Sequence, residues 1–513
     1  IEVLADAVGD RPAVIMNDGR RSYAELDDRA TRLANHLAAA GIRAGDHVGI
    51  HSRNRIEWVE AFYACFKIRA VPININYRYV EGELRYLYED ADVAAVVVEP
   101  EFAGDVERLS PSLPELRYTL VIEDDYEAAL AAASMDHAFE ERSEDDRYIV
   151  YTGGTTGIPK GVMWRQEDIV LGALNAYRQG APIERVEQLG EEALERPPMR
   201  LMMMGPLMHG GTQWAMANVH VSGGTAIIAS LPHFDAHAVL EMAAEHQPNS
   251  LTVIGDAMAR PILAALSAAG APPYDLSSLM AISNGGAPLS AGVRDELRKA
   301  VPNAMLVDSY GSSETGTTGI DPAAAEHPSP RFMVGPETTV LDAEFKVCPP
   351  CEVGYLARSG HIPVGYHRDP EATAATFPEI DGKRWAISGD FARIEEDGTI
   401  SILGRGSVSI NSGGEKIFPE EVESALTLHE GVADAAVVGT PHPRWGEQVT
   451  ALVRPREGWE PSEEALREHC RAHIAGYKIP KVMLFVDSIP RTPVGKVDYP
   501  VVAARAKELL GQT

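Results

Sequence analysis

Residues 151–164 read Tyr-Thr-Gly-Gly-Thr-Thr-Gly-Ile-Pro-Lys-Gly-Val-Met-Trp. Gly153, Gly154 and Gly157 let a backbone fold tightly with its N–H groups turned inward, Thr152, Thr155 and Thr156 add hydroxyl donors, and Lys160 adds a positive charge. Such a loop is built to hold phosphates. The apolar run Tyr148–Tyr151 precedes it and predicts a strand ending at the loop. The P-loop of nucleotide hydrolases is excluded, because it needs Gly-Lys-[Ser/Thr] five residues after its first glycine and Pro159 stands five after Gly154.

Outward from this loop, helical and strand patterns alternate. Ser22 and Glu25 form a capping box ahead of Leu26, Ala30, Leu33 and Leu37 at helical spacing, and His47–Ile50 reads as a short strand. Ile56–Cys65 predicts a helix, Val71–Ile75 a strand, Glu81–Tyr88 a helix and Val93–Val98 a buried strand. This is the pattern of an α/β layered domain with a mainly parallel sheet. Beyond the loop come candidate strands Leu201–Met204, Thr225–Ile228, Ser250–Ile254, Leu279–Ser283 and Met305–Asp308, with helices such as His237–Glu245 and Ala291–Ala300 between them. Ile183–Pro198, rich in Glu and Arg, predicts a solvated helix and loop. Residues 335–403 differ, since short strands between Gly-rich turns suggest a small barrel-like region or a sheet extension. Near Leu403 the pattern restarts as a compact unit, with helix Pro419–Leu428, strand Ala433–Val438, helix Glu463–His473 and strand Val482–Val486. The expected division is a large domain of layered α/β sheets over 1–403, a hinge over 404–408 and a small α+β domain over 409–513.

A chain of 513 residues exceeds what one core organises, which also calls for at least two domains. Its 45% hydrophobic content is that of an ordinary globular protein. The formal net charge of −29 repels nucleic acid and anionic membrane surfaces, so anionic substrates must be drawn in by local positive sites. No run approaches the roughly 18 apolar residues of a membrane span, and no stable membrane insertion is expected. Among Cys65, Cys348, Cys351 and Cys470, only the pair in Val-Cys-Pro-Pro-Cys-Glu has metal or redox spacing, and its two prolines suggest a surface turn. So few cysteines predict a reducing, cytoplasmic setting. The opening Ile-Glu-Val-Leu-Ala-Asp lacks a signal peptide's basic start, and the absence of Met at position 1 leaves a preceding leader open.

Four further segments carry chemistry. Ser283-Asn-Gly-Gly-Ala-Pro288 has glycines that permit close approach of backbone to a flat ring. Asp308-Ser-Tyr-Gly-Ser-Ser-Glu-Thr315 supplies an aromatic ring, hydroxyls and a carboxylate. Ser388-Gly-Asp390, with Gly404-Arg405, adds a carboxylate that can accept two hydroxyl donors at once, and a guanidinium. Arg491-Thr-Pro-Val-Gly-Lys-Val-Asp498 frames Lys496. In this order, and with the loop at 151–164, these segments resemble the motifs of the adenylate-forming superfamily, which contains acyl-CoA synthetases, peptide-synthetase adenylation domains and luciferases. The matches cover nearly the whole chain, up to Lys496.

The resemblance implies a role for each motif. Thr152, Gly153, Gly154, Thr155, Thr156, Gly157 and Lys160 would cradle the phosphates of ATP. Gly285, Gly286, Ala287 and Pro288 would lie along one face of the adenine and Tyr310 along the other, with Asp308, Ser309 and Gly311 in the same nucleotide motif. Thr315 would contact phosphate and Glu314 would ligate Mg²⁺, a cation that keeps waters and takes other ligands from phosphates. Asp390 and Arg405 would hold the ribose. Lys496 would be the catalytic lysine, since attack on the α-phosphate builds negative charge that an ammonium stabilises. His209, in Pro-Leu-Met-His-Gly-Gly-Thr-Gln-Trp214, would border the acyl pocket, where Trp214 either lines the tunnel or packs in the core. The small domain would be mobile, rotating about Ser407 so that Ser412, Gly413, Gly414 and Glu415 face the CoA channel.

The expected activity is that of an acyl-CoA synthetase: a carboxylic acid and ATP form an acyl-adenylate and pyrophosphate, and the thiol of CoA then displaces AMP. The expected partners are the acid, ATP and CoA, with room for a homodimer and no nucleic acid. Three other readings compete. An amino-acid adenylating enzyme delivering to a carrier protein would normally offer an acid near His209, and Met208–Trp214 contains none; nor is a carrier domain expected after Thr513. A luciferase-like oxygenase shares the motifs. A non-catalytic nucleotide-binding relative would have lost Lys496 or Glu314. Ser407 and Val408 depart from the family's usual hinge residues. The stretch from Gly404 to Glu421 is similar to a branch of actinobacterial synthetases acting on sterol side-chain carboxylates, which points to a medium or long fatty acid or a bulky apolar acid.

Overall fold

The computed structural model describes residues 1–511 except 154–158, 179–180, 270–272, 288, 323–329, 406–407, 409, 413–414, 443–445, 461, 475 and 493–496. Two mainly parallel sheets dominate the large domain. The first has four strands in the order Val71–Asn74, His47–His51, Val93–Val98, Tyr118–Val121, all parallel. All six residues of Val93–Val98 are buried, as a strand covered on both faces requires. The capping box at Ser22 and Glu25 starts the helix Tyr23–Ala39, whose Leu26, Ala30, Leu33 and Leu37 form the buried stripe.

The second sheet has nine strands. Met305–Ser312, Ala281–Asn284, Ser250–Val253, Arg200–Met203, Thr225–Ile228 and Pro12–Met16 run parallel in that order, and antiparallel strands close both edges. The N-terminal strand Pro12–Met16 pairs with Thr225–Ile228. It was not expected from the sequence, because a pairing between segments so far apart leaves no local signal. The other expected strands and helices are present, with ends shifted by a few residues.

Two expectations are corrected. The helix in the Glu/Arg-rich stretch, Glu187–Glu195, is not solvated all round: Gly190 and Ala193 are buried, and Ala193 belongs to the main core. A methyl group at Gly190 would come within 3.1 Å of the Val3 carbonyl oxygen, which shows how closely this helix lies on the helix Glu2–Val8. Of the two readings of 335–403, the barrel is not seen: the region contains a four-stranded antiparallel sheet in the order Thr338–Leu341, Val353–Arg358, Asp390–Ile394, Ile400–Arg405, while the strand Gly365–Tyr366 extends another sheet by pairing with Pro159–Arg165. Cys348 is buried beside it, while Cys351 is exposed in a turn at φ +70°.

The C-terminal sheet combines Ile410–Ser412, Glu415–Ile417, Val432–His442, Gly446–Pro455 and Val482–Phe485. On the helix Pro419–Thr427, Glu423 accepts from the Val437 N–H at 2.8 Å and from the Tyr499 hydroxyl at 3.1 Å. Burial, followed by the nearby Glu420, pushes its carboxyl up from 4.5 to about 8. The folded chain therefore binds a proton that the unfolded chain has released, so this group's contribution to stability falls as pH rises from about 4.5 to about 8. Urea denaturation across that range is expected to show Glu423→Gln losing less stability than the wild type, with the gap widest at the alkaline end.

Candidate active site

The phosphate-type loop does not lead from strand to helix. Its flanks, Arg147–Gly153 and Pro159–Arg165, pair antiparallel, with Thr152 opposite Lys160 and Gly153 opposite Pro159. Asn74, at the end of its parallel strand, fastens this hairpin to the rest of the domain. Its amide donates to the Tyr151 carbonyl at 2.9 Å and the Met208 carbonyl at 2.6 Å, and its oxygen accepts from the Tyr151 N–H at 2.8 Å. One buried side chain thus joins the strand entering the loop to the residue before His209. Gly154, Thr155, Thr156 and Gly157 themselves lie outside the described residues.

Lys160 projects from the second strand. Its Nζ is 2.8 Å from Asp369 Oδ2 and 5.3 Å from the centroid of the Tyr366 ring. The Lys160 ammonium, then the Ala372 N–H, hold the Asp369 carboxyl below its ordinary value. The hydroxyl of the same Tyr366 donates to Glu314 Oε1 at 3.0 Å. The cation of the loop and the carboxylate expected to ligate Mg²⁺ are therefore neighbours across one ring.

Glu314 sits in the turn between Met305–Ser312 and Gly316–Asp321. That turn is clamped from two other segments. The Arg358 guanidinium, on a residue only 8% exposed, donates to the carbonyls of Thr315 at 2.5 Å, Thr317 at 2.7 Å and Gly172 at 2.8 Å. The indole of Trp164 donates to the Ser313 carbonyl at 3.1 Å. Thr315 is buried, and its hydroxyl lies 3.1 Å from the Ser312 N–H and 2.9 Å from the Thr318 hydroxyl, inside the turn.

The adenine-type segment lies at the C-terminal ends of the parallel strands, the usual ligand edge of such sheets. Asn284 is opposite Asp308 in register and donates to its Oδ1 at 2.7 Å, while Arg294 donates to Oδ2 at 2.7 Å. Asp308 thus faces the interior and braces this edge. The Ser309 hydroxyl donates to the Asn284 carbonyl at 3.0 Å, and a methyl group at Gly285 would meet that hydroxyl at 2.8 Å. Tyr310 packs on Phe332 with ring centroids 5.6 Å apart. Gly286 and Ala287 lie in the same turn, whereas Pro288 is outside the described residues.

Asp390 is buried, accepts from the Ser388 hydroxyl at 2.7 Å and stands opposite Arg405 in register, so strand pairing brings the two ribose-type motifs together. His209, expected to border an acyl pocket, stands at the N-cap position of the helix Gly210–Val221 without a capping hydrogen bond from its side chain. Trp214 of that helix donates to the Tyr148 hydroxyl at 3.1 Å and meets Trp164 edge to face at 5.9 Å. Trp214 therefore belongs to an aromatic wall that reaches the Glu314 turn through Trp164. Gly413, Gly414 and Lys496 lie outside the described residues, as does Ser407.

Residues 1–366 match the AMP-binding enzyme family and residues 421–496 match the AMP-binding enzyme C-terminal domain. The chain belongs to this family of adenylate-forming enzymes. It is similar to the 3-oxocholest-4-en-26-oate–CoA ligase of Rhodococcus rhodochrous, 45% identical over 97% of this chain and 94% of the relative. The medium/long-chain-fatty-acid–CoA/3-oxocholest-4-en-26-oate–CoA ligase of Mycobacterium tuberculosis H37Rv is also 45% identical, over 96% of this chain and 93% of the relative. Among solved structures, ATP-bound MatB from Rhodopseudomonas palustris superposes with a TM-score of 0.83 at 27% identity, covering 99% of each chain.

The sequence reading missed Asn74, Trp164, Arg358, Tyr366 and Asp369. Only Asp369-Pro370 carried a local signal, that of a helix N-terminus. At Gly311, in the strand that enters the Glu314 turn, there is no room for a side chain, since a Cβ would stand 2.3 Å from the Gly316 carbonyl oxygen. Gly311→Ala is expected to impose about 1–3 kcal/mol of strain on the Glu314 turn. Calorimetry should show Mg–ATP binding weakened by about tenfold, the equivalent of ~1.4 kcal/mol.

Proposed function

We propose that this protein is an AMP-forming acyl-CoA ligase acting on a medium or long fatty acid or a bulky, sterol-side-chain-like carboxylic acid. The observation that carries the reading is the convergence of Lys160 and Glu314 on Tyr366, beside an aromatic wall continuous with the helix that begins after His209. A cation for phosphate, a carboxylate for a metal and an apolar surface for an acyl group are what carboxylate activation needs at one place. The names of the similar ligases support the choice of acid and of CoA over a carrier protein.

Substrate carboxylate oxygen attacks the α-phosphorus of ATP, the bond to pyrophosphate breaks, and acyl-AMP forms. The thiolate of CoA then attacks the acyl carbonyl, and AMP leaves with the electron pair of the acyl–phosphate bond. Lys160 and the loop ahead of it hold the phosphates, and the half-buried carboxylate of Glu314 fits a Mg²⁺ that takes its other ligands from phosphate and water. Bound Mg²⁺ would neutralise phosphate charge. Asp390 accepts the ribose hydroxyls, the segment from Gly285 to Pro288 and the ring of Tyr310 enclose the adenine, and Lys496 stabilises charge at the α-phosphate. Thr315 and Asp308, both buried, act by shaping the nucleotide turn. Residues 1–403 form the ATP- and acyl-binding domain, 404–408 the hinge and 409–513 the mobile domain that brings first Lys496 and then Gly413 and Gly414 to the site. The setting is cytoplasmic, and a homodimer is the oligomeric state to check by light scattering. No helix among the described residues is long and apolar enough to cross a membrane.

A panel of acids from acetate through long-chain to sterol acids, assayed for ATP- and CoA-dependent AMP release, should give the highest kcat/KM for the long or bulky members. Preference for acetate or for an amino acid would overturn the substrate reading. Lys496→Ala should lower adenylate formation by roughly 10²-fold. Thioester formation from supplied acyl-adenylate should be much less affected, and equal loss in both half-reactions would count against the role of Lys496.

A further inference from the structure

Two side chains of one short segment, Tyr366 and Asp369, face the charged groups Glu314 and Lys160. The strand Gly365–Tyr366 pairs with Pro159–Arg165, placing Tyr366 opposite Val162. The helix Pro370–Thr376 follows, with Asp369 as its N-cap. Thr373 of that helix accepts from the Tyr366 N–H at 2.9 Å, and Phe377 packs on the Tyr366 ring at 5.6 Å, so backbone and ring are both fixed. From this footing the hydroxyl reaches Glu314 Oε1 at 3.0 Å, and the ring lies 5.3 Å from Lys160 Nζ. Asp369 spans the same gap from the other side: Oδ2 takes Lys160 at 2.8 Å, while Oδ1 accepts from the Ala372 N–H at 2.9 Å.

A hydroxyl donating to one carboxylate oxygen restricts the rotamers of that carboxylate and leaves the other oxygen to face a cation. An aromatic face attracts an ammonium without neutralising it. The two effects come here from a single side chain, directed at groups of opposite charge. We propose that Tyr366 is a positioning residue that sets the spacing between the metal-side carboxylate Glu314 and the phosphate-side ammonium Lys160, with Asp369 holding Lys160 until phosphate displaces it. The inference rests on the roles given above to Glu314 and Lys160.

Binding of a non-hydrolysable ATP analogue, followed by calorimetry over a series of Mg²⁺ concentrations, tests it without turnover. Tyr366→Phe keeps the ring and removes the hydroxyl. It is expected to raise the Mg²⁺ concentration for half-maximal binding by at least about fivefold, in line with loss of a hydrogen bond to a charged group. The KM for the carboxylic acid and the unfolding midpoint should stay at wild-type values. In a Glu314→Gln background, Tyr366→Phe should add no further shift, because its effect passes through that carboxylate. Tyr366→Leu, which also removes the ring, should weaken analogue binding in the absence of Mg²⁺, where Tyr366→Phe does not. If Glu314→Gln shifts the Mg²⁺ dependence and Tyr366→Phe leaves it unchanged, the positioning role is overturned. If neither variant shifts it, the metal role of Glu314 fails, and the inference fails with it.

Discussion

The buried guanidinium of Arg358 is the contact on which the geometry of the site depends. It comes from the antiparallel sheet, yet it donates to carbonyls of the Glu314 turn and to Gly172 at the end of the helix after the phosphate-loop hairpin. A planar fork of five N–H donors can satisfy several carbonyls at once, which a lysine cannot do. Burying that charge is costly unless its donors are satisfied, so the three segments are held at the separations the fork dictates. Trp164 adds a fourth tie, from the hairpin to Ser313.

This arrangement answers an electrostatic problem set by the composition. A chain of net charge −29 must attract ATP, a carboxylate and CoA, all anionic. Long-range steering works against it, and short-range placement of cations has to compensate. Lys160 is held 2.8 Å from Asp369, a carboxylate on the cap of a short helix, and in the proposed reading a polyphosphate displaces that partner by supplying more charge at the same spot. Arg294 and Arg358 are committed to internal partners, so their charge shapes the site without competing for ligand.

The same logic separates the two faces of the site. On the side proposed for the nucleotide, Asn284 and Arg294 hold the Asp308 carboxylate and the Ser309 hydroxyl holds the Asn284 carbonyl at the strand ends. On the side proposed for the acyl group, the contacts are aromatic edges and a chain of hydrogen bonds through Trp214, Tyr148 and Gln213. Asn74 joins the two, since it binds backbone on both the loop strand and the segment before His209.

By itself the sequence determined the layered α/β class, most of the repeating elements and the order of the nucleotide motifs. Burial on a helix or strand leaves a periodic trace, as in Leu26, Ala30, Leu33 and Leu37 or in Val93–Val98, and loops that must approach a ligand leave glycines at fixed spacing. Only the tertiary structure decided that Pro12–Met16 joins the great sheet, that the helix Glu187–Glu195 docks on the N-terminal helix, and that the strands of 335–403 divide between an open antiparallel sheet and the edge of the Pro159–Arg165 hairpin. It alone assembled Asn74, Trp164, Arg358, Tyr366 and Asp369 around the motifs. A polar side chain that bonds to backbone carbonyls far away in the sequence, as Arg358 does to Gly172, has no period and needs no particular neighbours in sequence. Its role is fixed by which strands lie side by side, and that is a property of the packed chain.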